Sequence, residues 1–463
     1  MKAILLALLA AAQIETTPPP PAPPRQVHIP TPVESTLPNG LRVIVVEKHG
    51  VPLVAARLLV KSGAEADPAD LPGLANMTAT LLTKGTKTRN AEQIAREVEA
   101  LGATLDTGAG WDNSFAAVSV MSSKLPKAMG YMADVVRNPT FATEELERER
   151  QQELDAIRVA LKQPRALARR VVAQVVFGTA PYGHAGATLA SAETIKRDDL
   201  VAFHREHYAP HNAILVLAGD ITPAEGTKLA EENFGSWTAS HESMALKNVL
   251  TIGSPPKPRV VVVDLPEAGQ AVVMVSRPGL ARTDPQYALA QVTNSVLGGG
   301  YSSRLNEEIR VKRGLTYGAG SGFDFRAQPG PFTASVQTKN ESAAEVAHLV
   351  VEEMKKMASE PVPAEELTPR KATLIGQFAR SLETNAGLAR QVGELALYGI
   401  KLDEISRYIP SVESVTSAQV EEFAKERLGG ASSIVIVGDA KKFIEPLKKE
   451  FPDVEVIPAT QVK

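Results

Sequence analysis

From Val33 onward the chain alternates short β-rich runs with longer stretches whose apolar residues recur at helical spacing. Leu37-Pro38-Asn39-Gly40 is a turn signal opening a hairpin, and Arg42 to Glu47 and Leu53 to Val60 read as strands. Gly73 to Leu82 reads as a helix. Asn90 stands where it can cap the next one, with Gln93 completing a capping box and Gly102 ending the helix. Strands are expected between Thr104 and Val120, and helices over Lys124 to Arg137 and Thr143 to about Leu161. A helix from Asp198 to Tyr208, stopped by Pro210, and a strand from Ala213 to Asp220 close this half.

The same plan then returns. Arg259 to Val263 echoes Arg42 to Val46, Ala364-Glu-Glu-Leu367 echoes Thr143-Glu-Glu-Leu146, and Ser433 to Asp439 echoes Ala213 to Asp220. Arg42 and Arg259, Thr143 and Ala364, and Asp220 and Asp439 stand 217, 221 and 219 residues apart, a near-constant offset that marks an internal duplication. The expected fold class is α+β: two tandem homologous domains, each a mainly antiparallel sheet covered by helices. They are expected over residues 33–247 and 259–463, joined by a linker at 248–258 that contains Gly253-Ser-Pro-Pro-Lys-Pro258.

Composition narrows the functional classes. With 463 residues there is room for two cores of ordinary size. The net charge of −3 gives no field favouring nucleic acid or an anionic membrane, and the absence of cysteine excludes disulfides, thiolate metal sites and a cysteine nucleophile. Lys2, the apolar run Ala3 to Ala12 and the small residues before Gln13 predict a signal peptide over residues 1–12, hence a periplasmic or otherwise exported protein. That run is too short to span a bilayer, and no other segment is long and apolar enough. Residues 13–32 are proline-rich and read as an extended spacer.

The densest chemical signal runs from Gly298 to Phe325: a glycine turn, Ser303-Arg304-Leu305, a short helix with Arg310 on its last turn, a tight turn at Arg313-Gly314, and a strand with Tyr317 early in it. A guanidinium beside a phenol offers two kinds of donor, one permanently charged, to a carbonyl oxygen. This stretch closely resembles the second-domain signature of the pitrilysin/insulinase and mitochondrial processing peptidase family, a resemblance that extends over nearly everything from Val33 on. In that family the Arg–Tyr pair helps bind the substrate backbone, which implies that role for Arg310 and Tyr317.

The resemblance also locates the family's zinc site, His-x-x-Glu-His on the first helix of the first domain. Two histidines at i and i+4 share a helix face, and the glutamate serves as base. Gly73-Leu-Ala and Leu82-Thr-Lys-Gly-Thr86 frame that position here, but Asn76, Ala79 and Thr80 stand where His, Glu and His would be. The remaining glutamate ligand should follow seven residues after Glu149 of a Glu-Arg pair, where Ala156 stands. None of the four suits zinc.

Other candidates are weaker. His204, His207 and His211 have spacing suited to one helix face, but Pro210 breaks the helix before the third. Gly298-Gly299-Gly300 lacks the ending of a phosphate loop and reads as a turn between helices, and His184 reads as a loop residue. The expected function is a non-zinc subunit of a bacterial-type heterodimeric metallopeptidase, with no cofactor in this chain. A homologous partner with His-x-x-Glu-His would carry zinc, this chain would supply Arg310 and Tyr317, and the peptide substrate would add as a strand to a sheet edge. Two copies of this chain are an alternative assembly, and a catalytically inactive scaffold subunit of a larger complex is the alternative function.

Overall fold

The computed structural model describes residues 29–239 and 256–462. The signal run, most of the proline-rich tract and residues 248–255 of the linker lie outside the described residues. Two six-stranded mixed sheets organise the rest. The first contains β1 (Val33–Thr36), β2 (Arg42–Glu47), β3 (Leu53–Val60), β4 (Thr104–Ala109), β5 (Ser114–Met121) and β6 (Ala213–Gly219), in the order β1-β2-β6-β3-β5-β4. The second contains β7 (Val260–Asp264), β8 (Ala271–Pro278), β9 (Ala319–Phe323), β10 (Pro331–Thr338), β11 (Ser433–Gly438) and β12 (Val454–Pro458), in the order β12-β7-β11-β8-β10-β9.

The duplication is visible strand by strand: β2, β6, β3, β5 and β4 correspond in order to β7, β11, β8, β10 and β9. In both sheets β2–β6 and β7–β11 are parallel, while the pairs running on to β4 and β9 are antiparallel. Only the sixth strand differs. β1 comes from before β2 and lies antiparallel to it, whereas β12 comes from the far end of the chain and lies parallel to β7.

The first half's helices are α1 (Leu74–Leu81), α2 (Ala91–Glu99), α3 (Leu125–Arg137), α4 (Thr143–Ala160), α5 (Pro164–Phe177), α6 (Leu189–Thr194), α7 (Arg197–His207) and α8 (Pro223–Phe234). The second half adds α9 (Tyr287–Leu297), α10 (Ala343–Ser359), α11 (Ala364–Ser381), α12 (Asn385–Leu397), α13 (Glu404–Ser414), α14 (Ser417–Arg427) and α15 (Ile444–Glu450). The Asn90–Gln93 capping box opens α2 as expected, each residue's side chain accepting from the other's backbone N–H at 2.8 and 2.9 Å. Gly40 turns the β1–β2 hairpin at φ 89°, a left-handed conformation that favours glycine.

One arrangement departs from the expected plan, in which each half covers its own sheet. Each sheet packs one face on its own helices, but part of its other face is covered by a helix from the other half. Leu167, Val171 and Val175 of α5 lie against Val261, Met274 and Val435 of the second sheet. Leu388, Val392 and Leu395 of α12 lie against Ile44, Leu59 and Val216 of the first. Each such buried aliphatic side chain stabilises the assembly by roughly 1.5–3 kcal/mol as an upper bound. The exchange interlocks the two halves through two apolar interfaces. Gly219 is part of that seam: a Cβ there would stand 2.2 Å from Leu53 O and 2.6 Å from Asn385 Nδ2. No helix among the described residues is long and apolar enough to cross a membrane.

Candidate functional site

The segment after α9 is shaped by a few fixed contacts. Gly298 is required by close approach, since a Cβ would lie 2.3 Å from Ser321 Oγ and 2.4 Å from Ser321 N. The glycine run therefore works as the expected helix-to-helix turn. From Asn306 to Lys312 the backbone is wound as a π-helix, a conformation that is rare and concentrated at functional positions. Asn306 is buried at 4% exposure. Its amide donates to Gly300 O at 3.0 Å and Ala319 O at 2.6 Å, and its Oδ1 accepts from Ala319 N at 3.0 Å. One side chain thus ties the helix to the first residue of β9. Arg304 anchors the same helix to α11 through Glu366, with Nη2 2.8 Å from its carboxylate.

The helix ends at the expected tight turn. Gly314 has φ 64°, and Gly314 N donates to Arg310 O at 3.0 Å, which makes a left-handed glycine cap; Leu315 N donates one residue further back, to Ile309 O at 3.0 Å. Beyond it Thr316 Oγ1 donates to Gln337 O at 2.7 Å and accepts from Gly318 N at 3.0 Å. Tyr317 is therefore held at both neighbours while its own side chain is 93% exposed. It does not lie in the strand: β9 begins at Ala319, which pairs with Val336 of β10, whereas the next carbonyl on β10, that of Gln337, is taken by the Thr316 hydroxyl. Arg310 is exposed as well, and its guanidinium lies 5.2 Å from the ring centroid of Tyr301. Among the described residues no hydrogen bond or ring contact joins Arg310 to Tyr317. Tyr301, which the motif reading passed over, is the aromatic partner of the arginine, and its place directly after three glycines was the available signal.

The four positions matched to zinc ligands lie on two packed helices, α1 and α4. Asn76 is exposed, Ala79 is fully buried, Thr80 is half-buried and Ala156 is exposed. Two side chains without donor atoms and two poor ligands do not fit zinc. Among the described residues no group of three or more His, Asp or Glu could hold a metal ion. At the start of α1, Asp67 accepts from Gly73 N at 2.6 Å and Ala75 N at 2.7 Å, and burial pushes its carboxyl up to about 6. Burial, with the neighbouring Asp112 carboxylate adding to it, pushes Glu65 up to about 8.

The histidines serve packing. His204 Nε2 lies 2.8 Å from Val136 O and its ring stacks on Tyr208, while His207 Nδ1 lies 3.0 Å from Ser62 Oγ. Burial holds both below the usual imidazole range. His211 has left the helix for a short 3₁₀ turn at Pro210–Asn212, packed against Gly40.

A buried polar centre joins the halves. Asp112, between β4 and β5, accepts from Tyr182 Oη at 2.6 Å, Ala327 N at 2.8 Å and Tyr398 Oη at 3.1 Å. Arg326 lies beside it, its guanidinium 3.9 Å from the Trp111 ring and 4.5 Å from Tyr182. These residues sit on loops whose spacing carries no recognisable motif, and they were not legible in the sequence.

Residues 42–186 match the sequence profile described as Insulinase (Peptidase family M16), and residues 194–374 match that described as Peptidase M16 inactive domain. An uncharacterized zinc protease of Mycobacterium leprae is 28% identical over 409 residues, covering 87% of this chain and 91% of that protein. The crystal structure of a peptidase M16 inactive domain from Pseudomonas fluorescens is similar at TM-score 0.81 and 29% identity, covering 88% of this chain and 97% of that one. That of a protease from Helicobacter pylori is similar at TM-score 0.82 over 89% of this chain and all of that one; at 20% identity this is a likeness of fold.

Proposed function

The chain belongs to the insulinase (peptidase M16) family, and from that membership we propose that it is the non-zinc subunit of a two-chain peptidase. A homologous partner carries the His-x-x-Glu-His metal site, and this chain contributes Arg310 and Tyr317 to peptide binding. The observation that carries the reading is a pairing of loss and retention: α1 and α4 keep the family's framework without its ligands, while Arg310 and Tyr317 stand exposed on a segment fixed at both ends.

Within that reading the chemistry of this chain is hydrogen-bond donation. Among the described residues the phenol of Tyr317 has no hydrogen-bond partner, so it can donate to a substrate carbonyl as negative charge grows on the oxygen. Arg310 lies over Tyr301 and would hold a neighbouring backbone carbonyl, with the ring limiting the arc its guanidinium can sweep. Neither residue needs to gain or lose a proton. The proposal includes export to the periplasm, on the strength of Lys2 and the apolar Ala3 to Ala12.

The test is purification of the tagged full-length chain from its native cell, followed by mass spectrometry and peptidase assay. The expected result is one partner of similar size bearing His-x-x-Glu-His at equal stoichiometry, with hydrolysis by the pair and by neither chain alone. Recovery without such a partner, or inside a complex without peptidase activity, would replace the reading with that of a scaffold subunit.

A further inference from the structure

Beside Tyr317 lies a cavity of about 840 Å³ that the chemistry proposed above does not use. Its floor is the face of the second sheet that α5 leaves uncovered: Gly320 and Gly322 of β9, and Thr333 and Ser335 of β10. The side chains of Phe332, Ala334 and Ala319 point to the opposite face, into the core. One wall is α5 itself, which contributes Arg165 and Arg169. The floor therefore comes from the second half and the cationic wall from the first.

Strand addition along β9 is obstructed. The outward N–H and C=O of Ala319 are taken by Asn306, and Ser321 N donates to Gly298 O at 3.0 Å. What remains accessible is the glycine face, on which a chain segment can lie flat over hydroxyls and bare backbone.

The charge of the cavity is one-sided. Arg165, Arg169 and Arg326 line it against a single carboxylate, Asp324, and Arg326 already holds that carboxylate at 2.5 Å. Among the described residues Arg165 and Arg169 have no hydrogen-bond or ion-pair partner. They stand at i and i+4 on one face, where like charges repel. Arg165 is also the second residue of α5, where a cation opposes the helix dipole, and the first turn of α5 contains no acid. By contrast α4, α7, α8 and α11 all open with acidic residues. Arg326, 5% exposed, is held between the Trp111 and Tyr182 rings and paired with Asp324, so the cations left open to a ligand are Arg165 and Arg169. Two exposed cations placed against local preference on the wall of one cavity are explained by an anion that binds from outside.

We propose that this cavity binds an extended peptide segment through its acidic side chains, with Arg165 and Arg169 holding the carboxylates. Hydroxyls and exposed backbone on the floor suit the peptide's amides, and the overall charge of −3 gives no support to a polyphosphate chain extending beyond the cavity. The inference deepens the subunit reading by giving the substrate a charge, and it rests on that reading only for what becomes of the peptide once bound.

The test is fluorescence anisotropy on the full-length chain without a partner. The probes are two fluorescein-labelled peptides of about ten residues, identical except for two central glutamates replaced by glutamines in the second. The glutamate peptide should bind roughly tenfold tighter or more at low salt, and the advantage should shrink as salt rises. Arg165→Gln/Arg169→Gln should abolish the difference, and the paired lysine substitutions should retain part of it. Equal binding of the two peptides, binding of neither, or a preference that survives in the glutamine variant would overturn the proposal. Hydrolysis of the glutamine peptide by the assembled pair does not call on Arg165 and Arg169, so failure of either idea is separable from failure of the other.

Discussion

The phenol of Tyr398 donates to Asp112 Oδ2 at 3.1 Å, joining residues 286 positions apart in the chain. Tyr182 and the backbone of Ala327 donate to the same carboxylate, so one buried acid gathers a loop of the first half, a loop of the second and the end of α12. The junction between the halves is thus polar at its centre and apolar where the exchanged helices pack.

Asp112→Ala should destabilise the protein by roughly 3 kcal/mol or more, because three donors lose their acceptor in a site with little access to water. Urea unfolding followed by circular dichroism measures this. A loss below about 0.5 kcal/mol would mean that water replaces the carboxylate without cost.

Arg310→Ala and Tyr317→Phe should each leave unfolding of this chain unchanged, since both side chains are exposed. In the assembled peptidase each should lower kcat by about 10²–10³-fold if the lost donor acts where carbonyl charge develops. Wild-type turnover in both variants would remove them from the reaction.

Asn306→Ala separates positioning from contact. Three hydrogen bonds disappear from a buried site, and stability should fall by roughly 2–4 kcal/mol. Because Asn306 fixes the start of β9, two residues after Tyr317, kcat should fall while the protein remains folded at low temperature. Restoration of turnover by Asn306→Asp, which keeps the acceptor to Ala319 N, would show that this one bond sets the loop. A loss of stability with unaltered kcat would confine Asn306 to packing.

The contribution of Glu65 to stability should fall with rising pH between about 4.5 and 8. Glu65 keeps its proton in the folded state over that interval, while the unfolded chain has released it, so unfolding releases a proton and becomes easier as pH rises. The contribution is fully present below the unfolded value and is lost as pH passes the folded one. Melting temperatures at pH 5, 7 and 9 should decline less steeply in Glu65→Gln than in the wild type. Parallel curves would show that Glu65 is not the group responsible.

Much of the fold could be read from local pattern. β2 and β3 have the bounds expected of them, Arg42–Glu47 and Leu53–Val60, and the Asn90–Gln93 box marks the start of α2 by its own hydrogen bonds. The repeat offset anticipated the correspondence of strands between the two sheets. Less accessible were features that depend on distant partners. Nothing local in Pro164–Phe177 says that its apolar face belongs on the other half's sheet. The strand starts later than its sequence suggests because Gly318, Gly320 and Gly322 carry almost no strand preference, and the boundary is set by where pairing with β10 begins. The Arg310 and Tyr317 positions were legible through a motif, but the aromatic support from Tyr301 and the cationic wall of α5 appear only once the chain is folded.

The exchange of α5 and α12 also fixes an order of events during synthesis. The outer face of the first sheet, with Ile44, Leu59 and Val216, stays bare until Asn385–Leu397 has left the ribosome, long after its last strand is complete. The N-terminal half therefore cannot finish folding ahead of the C-terminal half, and in the meantime its exposed apolar sheet is a surface for chaperones to cover.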